Sequence, residues 1–482
     1  MSASVTERPA AAAAGTATPP PAAAASAPRP ARRALALAVV AGCNAMIQLD
    51  DPIMNIALPG IRADLGLSAL AASWVIGAYL LAFGGLLLLG GRAGDILGRR
   101  RVFVAGVALF TAAAAVRSVV PSGELLIAVR AVEGAGAAFA AANGFVLMLS
   151  TFAEGPARKR AIAVCTAVGA ASTAGGLLLA GALTSAGSWR WVLLLNVPMG
   201  LAVVLLAPRV IAETERIRGR FDLRGALLSA LGAASLVYGL SQAAEHPWTD
   251  ALVAGPLLAG LLLLSVFVGT QRRAAEPIVR LGLFRDRDRA LAFASMLVLP
   301  GALIGAYFFL SQSFQQHHGW SPLEAAFGLL PVPVTMAATA GVAVRVERAI
   351  GPKATMATGT AALVVENLWL SVLGPDGAYP TGVLPALVLL GAGMAFCVIP
   401  PTVLATSGLR PEELGSAASV LNALQSVGGS LCIALMVTAS SGRAGFSATM
   451  SAGFTAGAVF AGAALLTALS LRPRPRPRRA RA

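Results

Sequence analysis

Apolar residues in this chain run in long unbroken stretches, separated by short segments in which the charges collect. Runs of about 18–25 apolar residues are the length at which an α-helix crosses a bilayer. Fourteen such spans are predicted, at 34–59, 69–91, 102–120, 122–151, 161–186, 191–207, 224–243, 251–270, 290–313, 322–344, 354–373, 381–406, 414–438 and 448–471. Barrel strands would instead alternate over about ten residues. The predicted fold class is therefore an all-α polytopic membrane protein.

Composition narrows this further. The chain is 57% hydrophobic and 12% charged, with a mean hydropathy of +0.75, too little polar surface for a soluble protein of 482 residues. Fifty-two glycines suit helices that pack backbone to backbone in lipid. A net charge of +15 would ordinarily raise nucleic acid as a partner. Here the charges sit in interhelical loops, as topology demands, and no nucleic-acid-binding module is present. Of the 37 Lys and Arg, all but Arg62, Arg117, Arg130, Arg190 and Arg443 fall in the termini or in loops on one side of the predicted bundle. The positive-inside rule assigns that side, with both termini, to the cytoplasm. Lys159 and Lys353 are the only lysines among many arginines, which with the alanine excess suggests a GC-rich genome and a bacterial plasma membrane.

The organisation predicted is a disordered Ala/Pro-rich cytoplasmic tail over 1–33, a six-helix bundle over 34–207, a two-helix insertion with cytoplasmic loops over 208–289, a second six-helix bundle over 290–471, and a basic cytoplasmic tail over 472–482. The tail 1–33 has no secretory signal. The charged connectors Gly91–Arg101 and Gly341–Gly351 would occupy equivalent places in the two bundles, the repeat architecture of secondary transporters.

A few polar residues interrupt the spans. In the first, Asn44, Gln48, Asp51 and Asn55 share one helical face, a stripe that must face protein or a wet cavity. Asp50 points about 100° away on a regular helix, but Pro52 disfavours the helical conformation at Asp51, and a break there is anticipated. Membrane carboxylates default to proton or cation sites; the blander alternative is a pair already in water at the mouth. In the fourth span Arg130 and Glu133 are neighbours near the midplane, either a titratable pair, alone or with Asp50 or Asp51, or a static ion pair. Glu366, next to Asn367, either lines the cavity from the other half or snorkels outward. Ser419, Asn422, Ser426 and Ser430 form a second stripe, for substrate or for helix adhesion. His317 and His318 fall in an outer loop. Cys43, Cys165, Cys397 and Cys432 have no metal-like spacing and read as buried hydrophobes. Neither a phosphate loop nor a nucleophile elbow is found, and no cofactor or metal is implied. An enzyme is not indicated.

Several of these segments resemble the major facilitator superfamily, and within it the fourteen-helix drug:proton antiporters of EmrB/QacA type. They are Leu49-Asp50 with Asn55–Pro59, GRAGDILGRRR at 91–101, Arg130 to Gly136, Trp189–Pro198, and Gln315–Ala325 with Leu330-Pro331. The resemblance implies two six-helix bundles plus two helices and proton-driven export by alternating access. With it, Asp50 or Asp51 is expected to take the proton, with Arg130 and Glu133 tuning it, and Gly91, Asp95, Gly98, Arg99, Arg100 and Arg101 to form a cytoplasmic gate; the spacing above gives Asn44, Gln48, Asn55, Glu366 and Asn422 as cavity-lining candidates. The cargo would be small amphipathic or cationic compounds such as drugs, the partners protons and lipid, the state a monomer. Two departures stand out. Helix five reads Gly175-Gly176 where the antiporters carry Gly-Pro, and Glu133 replaces a helix-four glutamine. A facilitator or importer of a small metabolite is the alternative, and a non-transporting receptor with a carrier fold a further one.

Overall fold

The computed structural model describes residues 30–152, 155–214, 216, 222–274 and 277–472. The tails expected over 1–33 and 472–482 lie, but for a few residues, outside them.

Fifteen α-helices follow one another, and no strand occurs among the described residues. They are α1 (Pro30–Leu65), α2 (Ala69–Leu97), α3 (Arg99–Arg117), α4 (Gly123–Thr151), α5 (Pro156–Ala186), α6 (Trp189–Leu194), α7 (Asn196–Val210), α8 (Leu223–Gln242), α9 (Ala251–Arg273), α10 (Arg287–Gln312), α11 (Pro322–Leu329), α12 (Pro331–Leu373), α13 (Leu384–Thr406), α14 (Pro411–Ser440) and α15 (Phe446–Ser470). Twelve helical segments among the described residues are long and apolar enough to cross a membrane. One of these, Pro322–Leu373, is 52 residues long and holds a non-helical residue, Gly351, at φ 83° and ψ 169°. The 19-residue α3 is not among the twelve, because Arg99, Arg100, Arg101 and Arg117 dilute its apolar character.

Local chemistry explains the helix starts. Ser68, Ser122, Asp222, Asp250 and Asp286 each accept a backbone N–H from the first turn of the helix that follows. Ser321 and Glu324 form a capping box at α11. The anticipated break at Pro52 does not occur. α1 continues through Pro52 and Pro59, and the Asn55 carbonyl, which Pro59 leaves without its helical donor, accepts from Ser311 Oγ at 2.6 Å. A proline removes one intrahelical bond, which a neighbouring polar side chain can replace within a packed membrane helix.

Helices α1–α7 pack mainly among themselves, as do α10–α15, and the two groups meet along α2 with α14 and α5 with α11. Helices α8 and α9 pair with each other, and α8 leans on α2 and α14. Close approach depends on small residues. A Cβ at Gly84 would lie 2.8 Å from the Ala423 carbonyl oxygen, and one at Gly260 2.9 Å from the Gly232 carbonyl oxygen. Leu258, Leu261 and Leu262 on α9 stay exposed, as a lipid-facing surface allows.

The two similar connectors share a geometry. Gly98 (φ 105°) and Gly351 (φ 83°) both adopt a positive φ. Two residues after each, a basic side chain binds the end of a neighbouring helix. Arg100 Nη1 donates to the Ile211 carbonyl beyond α7 at 3.1 Å, and Lys353 Nζ donates to the Leu471 carbonyl beyond α15 at 2.8 Å. Cations suit these ends because the last helical carbonyls lack partners.

Candidate functional site

The central helices enclose a cavity of about 1680 Å3 that reaches the end of the bundle carrying the 91–101 connector. Asn44 and Gln48 line it from α1, Asn422 from α14, and Gly91, Asp95 and Arg99 line its mouth. Deeper lies a chamber of about 320 Å3, which shares Gln48, Phe83 and Asn422 with the first cavity. Asp51 and Asn55 line this chamber, with Tyr79 and Tyr307 among its walls. The Asp51 Oδ1 atom is buried and has no hydrogen-bond partner.

The far end is closed. Ser311 Oγ donates to the Asn55 carbonyl at 2.6 Å, and Gln315 Nε2 donates to the Ile56 carbonyl at 3.1 Å. Arg62 donates to Gln312 Oε1 at 3.1 Å, and the Leu323 N–H donates to Ser185 Oγ at 3.1 Å. All four bonds cross between the two helix groups.

Asp50 turns away from the chamber, into a charge cluster with no solvent exposure. Its Oδ1 accepts from Arg117 Nη1 at 2.6 Å and from Asn196 Nδ2 at 3.1 Å; its Oδ2 accepts from Arg130 Nη1. Glu133 Oε2 accepts from Arg117 at 2.8 Å and from Arg130 at 2.9 Å. Arg130 Nε also donates to the Val75 carbonyl at 2.9 Å, and its guanidinium lies 4.3 Å from the Tyr79 ring centre. Two carboxylates thus face two guanidiniums. Burying charge is costly unless it is paired and hydrogen-bonded, and this ring pairs all four. Tyr79 touches both regions, since its ring packs on Arg130 and lines the chamber.

The structure therefore divides the adjacent acids. Helical spacing directs Asp51 to the cavity, and Asp50 meets Arg130 and Glu133. Arg117, which the sequence reading set apart only as falling outside the one-sided loops, is the last residue of α3 and is fully buried. Its signal was a lone charge in the apolar stretch Ala112–Val120. Asn196 and Tyr79 were also missed as site residues.

Glu366 corrects the sequence reading. It lines neither cavity and does not snorkel outward. It is fully buried beside Asn367, whose Nδ2 donates to Glu366 Oε2 at 2.6 Å. Sequence periodicity could not orient it, because nearly every face of that helix is apolar. The α14 stripe divides along its length. Ser419 and Asn422 line the large cavity and Ser426 the chamber, whereas Ser430 Oγ donates to the Gly77 carbonyl at 3.1 Å and joins α14 to α2.

At the connector, Asp95 pairs with Arg99, the Arg100 N–H donates to Glu213 Oε1 at 2.9 Å, and Arg101 Nε lies 3.9 Å from Glu213 Oε2. A Cβ at Gly98 would lie 2.9 Å from the Glu213 carboxyl carbon. These contacts join α2 and α3 to the segment after α7. Glu213 was not anticipated. His317 Nε2 lies 2.8 Å from Asp376 Oδ1, away from both cavities. The described residues hold no group of His, Cys, Asp and Glu placed to bind a metal.

Relatives share this architecture. The chain is 38% identical over 439 residues to the cephamycin export protein of Amycolatopsis lactamdurans, covering 89% of each chain. It is 36% identical over 416 residues to the puromycin resistance protein of Streptomyces alboniger, covering 85% of this chain and 82% of the relative. Crystal structures of an auto-inhibited POT family peptide transporter (TM-score 0.67, 17% identity, 90% and 95% coverage) and of a nucleoside transporter (TM-score 0.62, 13% identity, 90% and 98% coverage) share the fold. The family model described as Major Facilitator Superfamily matches residues 40–433. With its apolar helices around a central cavity, the chain belongs to the Major Facilitator Superfamily and is a multi-pass membrane transporter of a small molecule, not an enzyme.

Proposed function

We propose that this transporter is a proton-coupled efflux antiporter that exports small amphipathic or cationic compounds, of the drug or antibiotic kind, by alternating access. The observation that carries this reading is the placement of two adjacent acids, Asp50 in a sealed cluster with two arginines and Asp51 at a cavity wall. A carboxylate beside an arginine has a proton affinity that responds to its surroundings. A proton or a substrate biases the carrier only through unequal affinity for its two states. Export is favoured by the relatives, whose names describe cephamycin export, puromycin resistance, and tetracenomycin C resistance and export.

The chain is read as a fourteen-helix antiporter of EmrB/QacA type. The twelve apolar segments, with α3 and the division of Pro322–Leu373 at Gly351, support that number. The matched connectors at Gly98 and Gly351 support bundles over 34–207 and 290–471, with α8 and α9 inserted between them. The one-sided Arg and Lys distribution supports cytoplasmic termini, so the open mouth faces the cytoplasm and the gate residues line or brace it. A monomer suffices for this cycle. A facilitator or importer is the second reading, favoured by α5, which runs unbroken through Gly175-Gly176.

Everted vesicles test the proposal. Asp50→Asn and Asp51→Asn, measured separately, will differ, and at least one will abolish proton-driven accumulation of substrate. Full coupling in both variants would sink it. A facilitator would be distinguished by transport that never exceeds equilibration and ignores an uncoupler.

A further inference from the structure

Arg117 and Glu133 complete the Asp50 cluster, and together they carry no net charge. Arg117 arrives from α3 and Glu133 from α4, and both are fully buried. Glu133 Oε2 accepts from both guanidiniums, at 2.8 and 2.9 Å, so it holds the two arginines together independently of Asp50. Glu133 Oε1 and the Arg117 Nε and Nη2 atoms are buried without hydrogen-bond partners. The cluster therefore has unused capacity on both members of this pair.

We propose that Arg117 and Glu133 form a charge-compensating dyad that positions Asp50 and Arg130, with Glu133 retaining both guanidiniums when Asp50 takes up a proton. Arg117 is then a positioning residue for the coupling step, and Glu133 its counter-ion. The proposal rests on Asp50 being a coupling group. When a proton neutralises Asp50, the N–H groups it releases have a second carboxylate within the same ring. Arg130 also keeps the Val75 carbonyl. Neither arginine is left as an unpaired buried charge, the arrangement that is most costly. The charged and titratable groups around Asp50 are Arg117 from α3, Arg130 and Glu133 from α4, Tyr79 from α2, and Asp51 on α1 itself.

A double-mutant cycle on the full chain tests the dyad, with ethidium efflux from cells and everted vesicles as the transport probe. Arg117→Leu removes a positive charge near Asp50 and will move the pH of half-maximal transport to the alkaline side. Glu133→Gln removes a negative charge and will move it to the acid side. Arg117→Leu with Glu133→Gln will return the midpoint towards the parent value, and will recover roughly tenfold in rate or abundance over the worse single variant. Single variants with the parental pH profile, or losses that add in the double variant, would overturn the proposal. If the single variants fail to accumulate in the membrane, the double variant decides. Its accumulation upholds the dyad, and its absence refutes it. Failure of the proton reading looks different, because parental efflux would then ignore an uncoupler while the abundance cycle still reports on the dyad.

Discussion

Arg117 donates to Asp50 across 2.6 Å from 67 positions further along the chain, with both side chains shielded from solvent. Removing one member of a buried ion pair costs about 3–5 kcal/mol, since the other charge is left uncompensated. Arg117→Ala, which leaves the Asp50 and Glu133 carboxylates facing the single Arg130 guanidinium, should therefore lower the unfolding midpoint of detergent-solubilised protein severely. The Asp64–Arg190 pair is also short, at 2.6 Å, but 47% and 37% exposed. Asp64→Ala should lower the midpoint far less, because water screens an exposed pair. Equal effects of the two substitutions would contradict the structural role given to the cluster.

The two connector glycines should respond unequally to alanine. A positive φ outside the left-handed helical region costs a non-glycine residue about 1–3 kcal/mol, which applies to both. At Gly351 a Cβ meets open space, whereas at Gly98 it meets the Glu213 carboxylate. Gly98→Ala should thus destabilise more than Gly351→Ala and also slow transport, because it displaces Glu213 from Arg100. Thermal unfolding with parallel efflux assays checks the order.

The four cysteines should label in order of access. Cys165 is half-buried and lines the large cavity, while Cys43, Cys397 and Cys432 are buried. Brief treatment with N-ethylmaleimide, followed by peptide mass spectrometry, should find Cys165 modified first. Early modification of Cys397 would mean that its helix packing is not as described.

Closure at the far end should be trappable. A Cβ at Gly181 would lie 2.8 Å from both the Ala326 Cβ and the Leu323 Cα, so α5 and α11 must part slightly for a cysteine pair to reach the ~3.8 Å usual for a disulfide. Oxidised Gly181→Cys with Ala326→Cys should stop transport, and reduction should restore it. Transport that survives complete crosslinking would rule out separation of α5 and α11 during the cycle.

Much of this molecule is legible along the chain. The apolar runs mark the helices, because hydropathy summed over a span is a local property of the chain. The stripe from Asn44 to Asn55 faces the cavities as its spacing requires. The continuity of α1 was not legible, since proline signals a break in isolation and only packed surroundings satisfy the freed backbone. Glu366 was ambiguous because its helix is apolar on nearly every face, which leaves no periodicity to orient a lone acid.

The sequence by itself determined an all-helical membrane protein, the one-sided charge of its loops and the polar face of its first helix. These follow from hydropathy, length and helical periodicity, which act over short stretches of chain. Only the tertiary structure decided that Asp50 and Asp51, one residue apart, have different surroundings. It also brought Arg117 from a helix end into the same cluster. Charges buried in a low-dielectric interior must find partners, and those partners come from helices that the sequence does not place side by side.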